Sequence, residues 1–77
     1  LSNKYDNYKG LLIEYCHKEY QKPPVFKIIS SEGPDHDKLF KVKAYLKNIF
    51  EYQGLGKSIK DAEQNAAKQA LVFLKKL

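Results

Sequence analysis

Apolar side chains recur at spacings of three and four through Tyr8, Leu11, Leu12, Tyr15, Cys16 and Tyr20, which predicts a helix from Asp6 to Tyr20 with one buried face. Asp6 is the expected N-cap, because its short carboxylate can accept from the free amides of a first turn. Pro23 and Pro24 lack backbone donors and stop the helix before them. Val25–Ser30 is a β-branched and aromatic run that predicts a strand, ended by the turn-forming cluster Ser31, Glu32, Gly33 and Pro34. Phe40, Val42 and Ala44 then alternate with Lys41, Lys43 and Tyr45, the period of a strand with one buried and one solvated face. Lys47-Asn48 predicts a tight turn into a third, antiparallel strand over Ile49–Gln53, which Gly54, Leu55 and Gly56 are expected to break. Ser58 followed by Asp61 is a capping-box arrangement that opens a second helix. Its inward stripe is Ala62, Ala66, Ala70, Leu74 and Leu77, with Ala67 and Leu71 beside it, so its early turns offer small side chains to a sheet. The order is α-β-β-β-α.

Length and composition narrow what such a chain can do. Its 77 residues suit one small domain, here read as 1–77 with a core from about 6 to 74, and leave no room for an enzyme of ordinary size. Hydrophobic residues make up 43%, enough for a core and too many for a disordered tail. Cys16 stands alone, which excludes an internal disulfide and a zinc knuckle. No apolar run is longer than the five residues Ala70–Leu74, and Leu11–Ile13 is shorter still, far short of the roughly 20 residues that span a bilayer, so no membrane is expected and the reading is a soluble, cytoplasmic protein. The chain opens on Leu1 rather than Met, and a piece of a longer protein is therefore expected. Net charge is +5, built from 14 Lys and no Arg against 9 acids, which fits a polyanionic partner of any kind.

Three collinear strings sharpen that reading: Tyr8-Lys9-Gly10-Leu11-Leu12-Ile13-Glu14-Tyr15, Gly33-Pro34-Asp35-His36-Asp37-Lys38, and Gly54-Leu55-Gly56-Lys57-Ser58-Ile59-Lys60-Asp61-Ala62-Glu63-Gln64-Asn65-Ala66-Ala67. With them the chain resembles the double-stranded-RNA-binding domain family from about Asp6 to Leu74. Its second and third strings look most like the C-terminal domain of bacterial-type ribonuclease III. The resemblance implies an α+β fold, a three-stranded antiparallel sheet with two helices packed on one face. It also implies double-stranded RNA as partner, read by shape. The deep major groove of A-form RNA hides its base edges, whereas its wide minor groove displays 2′-hydroxyls, so a reader touches two successive minor grooves and the phosphates between them.

On this chain the resemblance assigns the first minor groove to the first helix, with Glu14 accepting from 2′-hydroxyls that DNA lacks. Lys9 is assigned to RNA on the same helix, and Pro34 and His36 to the second minor groove through the loop between the first two strands. Lys57, Ser58 and Lys60 are assigned to the bridging phosphates. That last assignment also has a reason of its own, since a capped helix N-terminus leaves unpaired N–H groups and a partial positive charge that two flanking lysines would otherwise strain. Gly10 and Ile13 stand where the family often carries Thr and Gln, and Ile59 and Glu63 where it often carries Lys, so some polar contacts and some charge are absent. Lys57 is expected to supply part of the missing charge. An all-Lys surface also suits shape better than base sequence, because Arg's bidentate fork for guanine is missing.

Phe26, Phe40 and Phe50 are expected on the core side of their strands rather than as base-stacking platforms. His17 has no motif match and implies no metal. A second reading, motivated by Gly10, Ile13 and Ile59, is a fold of this kind used for protein contact or dimerisation; a domain of another RNA-processing protein is a further alternative. Catalysis within the chain has least support, because its acids are dispersed, and Mg²⁺ cleavage of RNA needs grouped carboxylates. The resemblance would put that Mg²⁺, and a homodimer contact, in a separate nuclease domain of the parent; the domain itself calls for no cofactor.

Overall fold

The computed structural model describes residues 7–77 and arranges them as α1 (Tyr8–Tyr20), β1 (Val25–Glu32), β2 (Leu39–Leu46), β3 (Phe50–Gly56) and α2 (Ile59–Phe73). The expected cap at Asp6 lies outside the described residues. Asn7 is the N-cap of α1, and its side chain accepts from the Gly10 amide at 3.3 Å. The helix ends where the prolines require: Gln21 takes a left-handed conformation, φ 58°, and donates its N–H to the His17 carbonyl. Pro24, read only as a helix stop, is also buried.

The sheet is antiparallel throughout, in the order β1-β2-β3. Phe26, Ala44 and Tyr52 line up across one face, as do Val42 with Gly54 and Phe40 with Gly56. Lys27, Lys43 and Gln53 line up on the other. The β2–β3 hairpin turns through Lys47 and Asn48, both at positive φ (57° and 59°), and Ile49 donates to the Leu46 carbonyl at 3.1 Å. Three residues, Lys47 to Ile49, thus join Leu46 to its partner Phe50, with the first two in the left-handed region that tight hairpin turns use. β1 runs to Glu32 rather than stopping at Ser30, because a register shift between Ile28 and Ser30 lets Ser31 and Glu32 pair with Phe40 and Leu39.

One expectation is overturned at Gly54–Gly56. The segment does not break β3 but completes it, pairing with Phe40, Lys41 and Val42. The glycines are there for closeness rather than for a turn: a Cβ on Gly54 would strike the Ala66 amide nitrogen, and one on Gly56 would lie 2.5 Å from the Ala62 nitrogen. Small residues on both sides thus let α2 lie directly on β3. Helix α2 covers β3 and β2, α1 packs against α2, and their shared core holds Leu12, Cys16, Ala44, Leu46, Ala66, Ala67, Ala70 and Leu71.

The predicted stripe of α2 holds as far as Leu74, which caps the helix and is half-buried. Leu77 departs from it, 57% exposed beyond the helix end, since the periodicity has no backbone to act on after Phe73. Phe50 has the core-side register but sits at the rim of the sheet, 42% exposed, while Phe26 and Phe40 are half-buried.

Cys16 is wholly enclosed, and burial pushes its thiol from 9.0 up to about 11. The thiolate is the reactive form, so the native protein is expected to react with iodoacetamide at neutral pH roughly 100-fold more slowly than the urea-unfolded chain, as thiol-loss kinetics would register. The raised value also gives stability that is full below pH 9 and fades as pH climbs toward 11, where the folded thiol loses its proton.

Candidate nucleic-acid interface

At the start of α2 the Ser58 Oγ accepts from the Asp61 amide at 3.0 Å, and the Ser58 carbonyl accepts from Ala62. The predicted cap is therefore formed, in its forward half. Ile59 and Lys60 are left with first-turn amides that have no intrahelical acceptor, so this end of α2 is electropositive. Lys57 and Lys60 stand beside it and both are exposed. They share the wall of an open concavity of about 600 Å³ with Tyr8 from α1, Gly56 from β3, and Asp61, Gln64 and Asn65 from α2. Among the described residues Lys60 makes no ion pair, whereas Lys57 reaches Asp37 at 3.5 Å. A concave surface with two exposed lysines and free helix amides has the chemistry of an anion site.

The β1–β2 loop lies next to it. Gly33 has φ 102°, a conformation favouring glycine, and a Cβ there would come 2.6 Å from the Asp37 carbonyl oxygen. Pro34 accepts from the Asp37 amide at 2.9 Å, closing a turn that carries exposed His36. A smaller hollow of about 180 Å³ is lined by Asp35, His36, Asp37, Lys38, Phe40 and Lys57. Lys57 thus borders both hollows and joins the loop to the helix end.

Glu14 is exposed on α1 and lines a third hollow with Leu11, Tyr15, Lys18, Leu71 and Lys76. It shares no lining residue with the hollows of Lys60 and His36, so the Glu14 station stands apart from the other two, which Lys57 joins. The molecule is 39 Å in its longest dimension. A duplex turn is of similar length, roughly 34–36 Å in B-form, so the molecule is large enough to reach beyond a single groove. Lys9 points elsewhere: its ammonium meets the Glu63 carboxylate at 2.8 Å and sits 5.1 Å from the Phe26 ring centroid.

Sequence reasoning missed the residues that hold these stations together. Asn65 donates to the Leu55 carbonyl, fastening the end of β3 to α2. Gln64 accepts from the Lys9 amide at 3.0 Å, and Asp37 anchors Lys57. The only signal for them in the chain was their place inside the quoted strings. Lys43, on the solvated face of β2, pairs with Glu51 on the neighbouring strand at 3.0 Å, which raises its pKa through that hydrogen bond. Lys68 lies over the Tyr8 ring at 5.5 Å. Among the described residues no group of three His, Cys, Asp or Glu side chains is arranged to hold a metal ion.

Compared with known proteins, residues 8–74 match the family model described as the double-stranded RNA binding motif. The chain is 46% identical over 67 residues to the ribonuclease 3 of Borreliella burgdorferi, covering 87% of this chain and 27% of that protein. It is 40% identical over 65 residues to the ribonuclease 3 of Protochlamydia amoebophila, covering 84% of this chain and 27% of that one. It therefore spans about a quarter of the length of these curated relatives. Among solved structures, the first dsRBD of protein HYL1 superposes with a TM-score of 0.66 at 38% identity, over 84% of this chain and 92% of that one. A structure of both dsRBDs of DRB4 superposes with a TM-score of 0.69 at 31% identity, over 91% of this chain and 45% of that one.

Proposed function

Because the chain belongs to the double-stranded RNA binding motif family, we propose that it binds duplex RNA by shape, through three stations that follow the grooves of an A-form helix. The observation that carries this reading is the open end of α2, where Lys57 and Lys60 face one concavity beside unpaired first-turn amides. Phosphates crossing the major groove would occupy it. His36 and the Pro34 turn would meet one minor groove, and Glu14 would accept from 2′-hydroxyls in the other. A carboxylate facing a polyanion is unfavourable without such a donor, so Glu14 favours RNA over DNA.

Its likeness to ribonuclease 3 proteins supports reading the domain as the substrate anchor of a ribonuclease III; a cytoplasmic setting is part of the same proposal. Cleavage, its Mg²⁺ and a homodimer contact would then belong to a nuclease portion outside this chain. The carboxylates present do not fit the ion, since Asp37, Glu51 and Glu63 are each engaged by a lysine and no metal-holding group of three forms among the described residues. No catalytic step is assigned to them. Among the described residues no helix is long and apolar enough to cross a membrane.

The reading is tested by titrating matched RNA and DNA duplexes at several salt concentrations. Tighter binding of RNA is expected, with little dependence on base sequence and with affinity falling linearly in log–log form as counterions are released. Equal affinity for the two duplexes would overturn it.

A further inference from the structure

Lys9 is the one lysine at the start of α1 within the described residues, yet three groups from two other elements converge on it. Glu63 of α2 takes its ammonium at 2.8 Å, the Phe26 ring of β1 lies 5.1 Å beneath the same group, and Gln64 of α2 accepts its backbone N–H at 3.0 Å. The two ionised side chains retain 37% and 21% exposure, so the pair is partly sheltered from solvent. The first amides of a helix have no intrahelical acceptor and normally find one in their own N-cap. Here Asn7 serves Gly10, while Lys9 is served from another helix, one turn along from Lys60.

We propose that Lys9 and Glu63 form an internal strut that sets the placement of α1 against α2, and that they act in duplex recognition as positioning residues rather than as RNA ligands. The inference rests on the duplex-RNA reading above. Glu14 lies five residues beyond Lys9, about 7.5 Å along the helix at 1.5 Å per residue. A tilt of α1 at Lys9 therefore moves the Glu14 station relative to Lys57 and Lys60. A duplex offers grooves and phosphates at a set spacing, so a reader of shape must hold its stations at a matching one. An ion pair with this much exposure adds little to folding stability, which leaves placement as its main effect.

Charge reversal separates a strut from a direct contact. The variants are Lys9→Gln, Glu63→Gln, Glu63→Lys and the double exchange Lys9→Glu/Glu63→Lys. Binding is measured by fluorescence anisotropy on an RNA duplex of about 16 base pairs, which spans two minor grooves, and on one of about 8. The three single variants are expected to bind the longer duplex about five- to tenfold more weakly, in the range of coupled pairs, and the shorter one nearly as wild type does. Their melting temperatures and salt slopes stay unchanged, and the double exchange restores affinity to within about twofold of wild type.

A direct phosphate contact by Lys9 predicts the opposite pattern, a slope flattened by about one in Lys9→Gln and no recovery in the exchange, and that result overturns the strut. Tighter binding by Glu63→Lys alone does so too, because recovery would then come from a new cation. Equal losses on both duplexes with lowered melting temperatures would show general support of the fold, and unaltered affinity in every variant would show no role at all; either outcome refutes the proposal. Failure of the underlying reading is distinct, since it appears in the wild-type protein as equal binding of RNA and DNA.

Discussion

Replacing Lys57 and Lys60 together by alanine is expected to weaken binding of duplex RNA by about 10- to 100-fold near physiological salt, and to flatten the salt dependence by about two charges. Both ammonium groups line the concavity at the start of α2, and each phosphate they neutralise releases counterion from the duplex. The fold should not notice their loss. The Lys57 side chain is 80% exposed and its partner Asp37 60%, and Lys60 makes no ion pair among the described residues. Removing cations from a helix N-terminus even relieves a small repulsion with the helix dipole. Anisotropy titrations at three salt concentrations, with a thermal melt of the same sample, make the check. An unaltered affinity and slope would remove the phosphate role from this end of α2. A fallen melting temperature would show that the lysines support the fold.

Gly54→Ala is expected to have the largest effect on stability of any single methyl addition to this chain. The new Cβ would collide with the Ala66 amide nitrogen, the Asn65 carbonyl carbon (2.6 Å) and the Ala62 carbonyl oxygen (2.7 Å), all of them backbone of α2. Backbone cannot rotate aside as a side chain can, so the helix must lift off β3. Overpacking of this kind costs about 3 kcal/mol, at the upper end of its usual range or beyond. A domain of this size has only about 4–12 kcal/mol in total, and each kcal/mol moves the midpoint by about 4–8 °C, so a fall of about 12–24 °C is expected. Gly10→Ala is the control. There the added Cβ meets only the Asn7 side chain, which can swing away, and the helix-propensity gain of about 1 kcal/mol offsets a lost cap of similar size. Circular-dichroism melts compare the two, and a Gly54→Ala midpoint within a few degrees of wild type would contradict the close-approach account. Lifting α2 would also separate Lys60 from Tyr8, so duplex binding should fail alongside stability.

These two sites differ in how far the chain itself announced them. Lys57, Ser58 and Lys60 were legible because a helix cap is a local device: a hydroxyl, a spacing of three and the amides it serves all lie within one turn. The Lys47-Asn48 turn was legible for the same reason, as its positive φ angles belong to the two residues themselves. Gly54 and Gly56 were misread. Locally a Gly-x-Gly segment weakens a strand, and only the helix lying across it turns the missing side chains into an advantage. Leu77 erred in the other direction, since its period continued after the helix had ended at Phe73.

Lys9 shows the limit most clearly. In its string it reads as one more cation for RNA, and the residue that engages it lies 54 positions away. Asp37 and Lys57 are likewise brought together from a loop and a helix end, twenty positions apart in the chain. Element order, the strand period, the capped helix and the excess of lysine were determined by the sequence alone, because each is a property of neighbours along the backbone. Which lysines stay available to a polyanion and which are consumed inside the molecule was decided only by the tertiary structure. An ion pair depends on distances of a few ångströms between side chains, and those distances are set by how α1, α2 and the sheet pack.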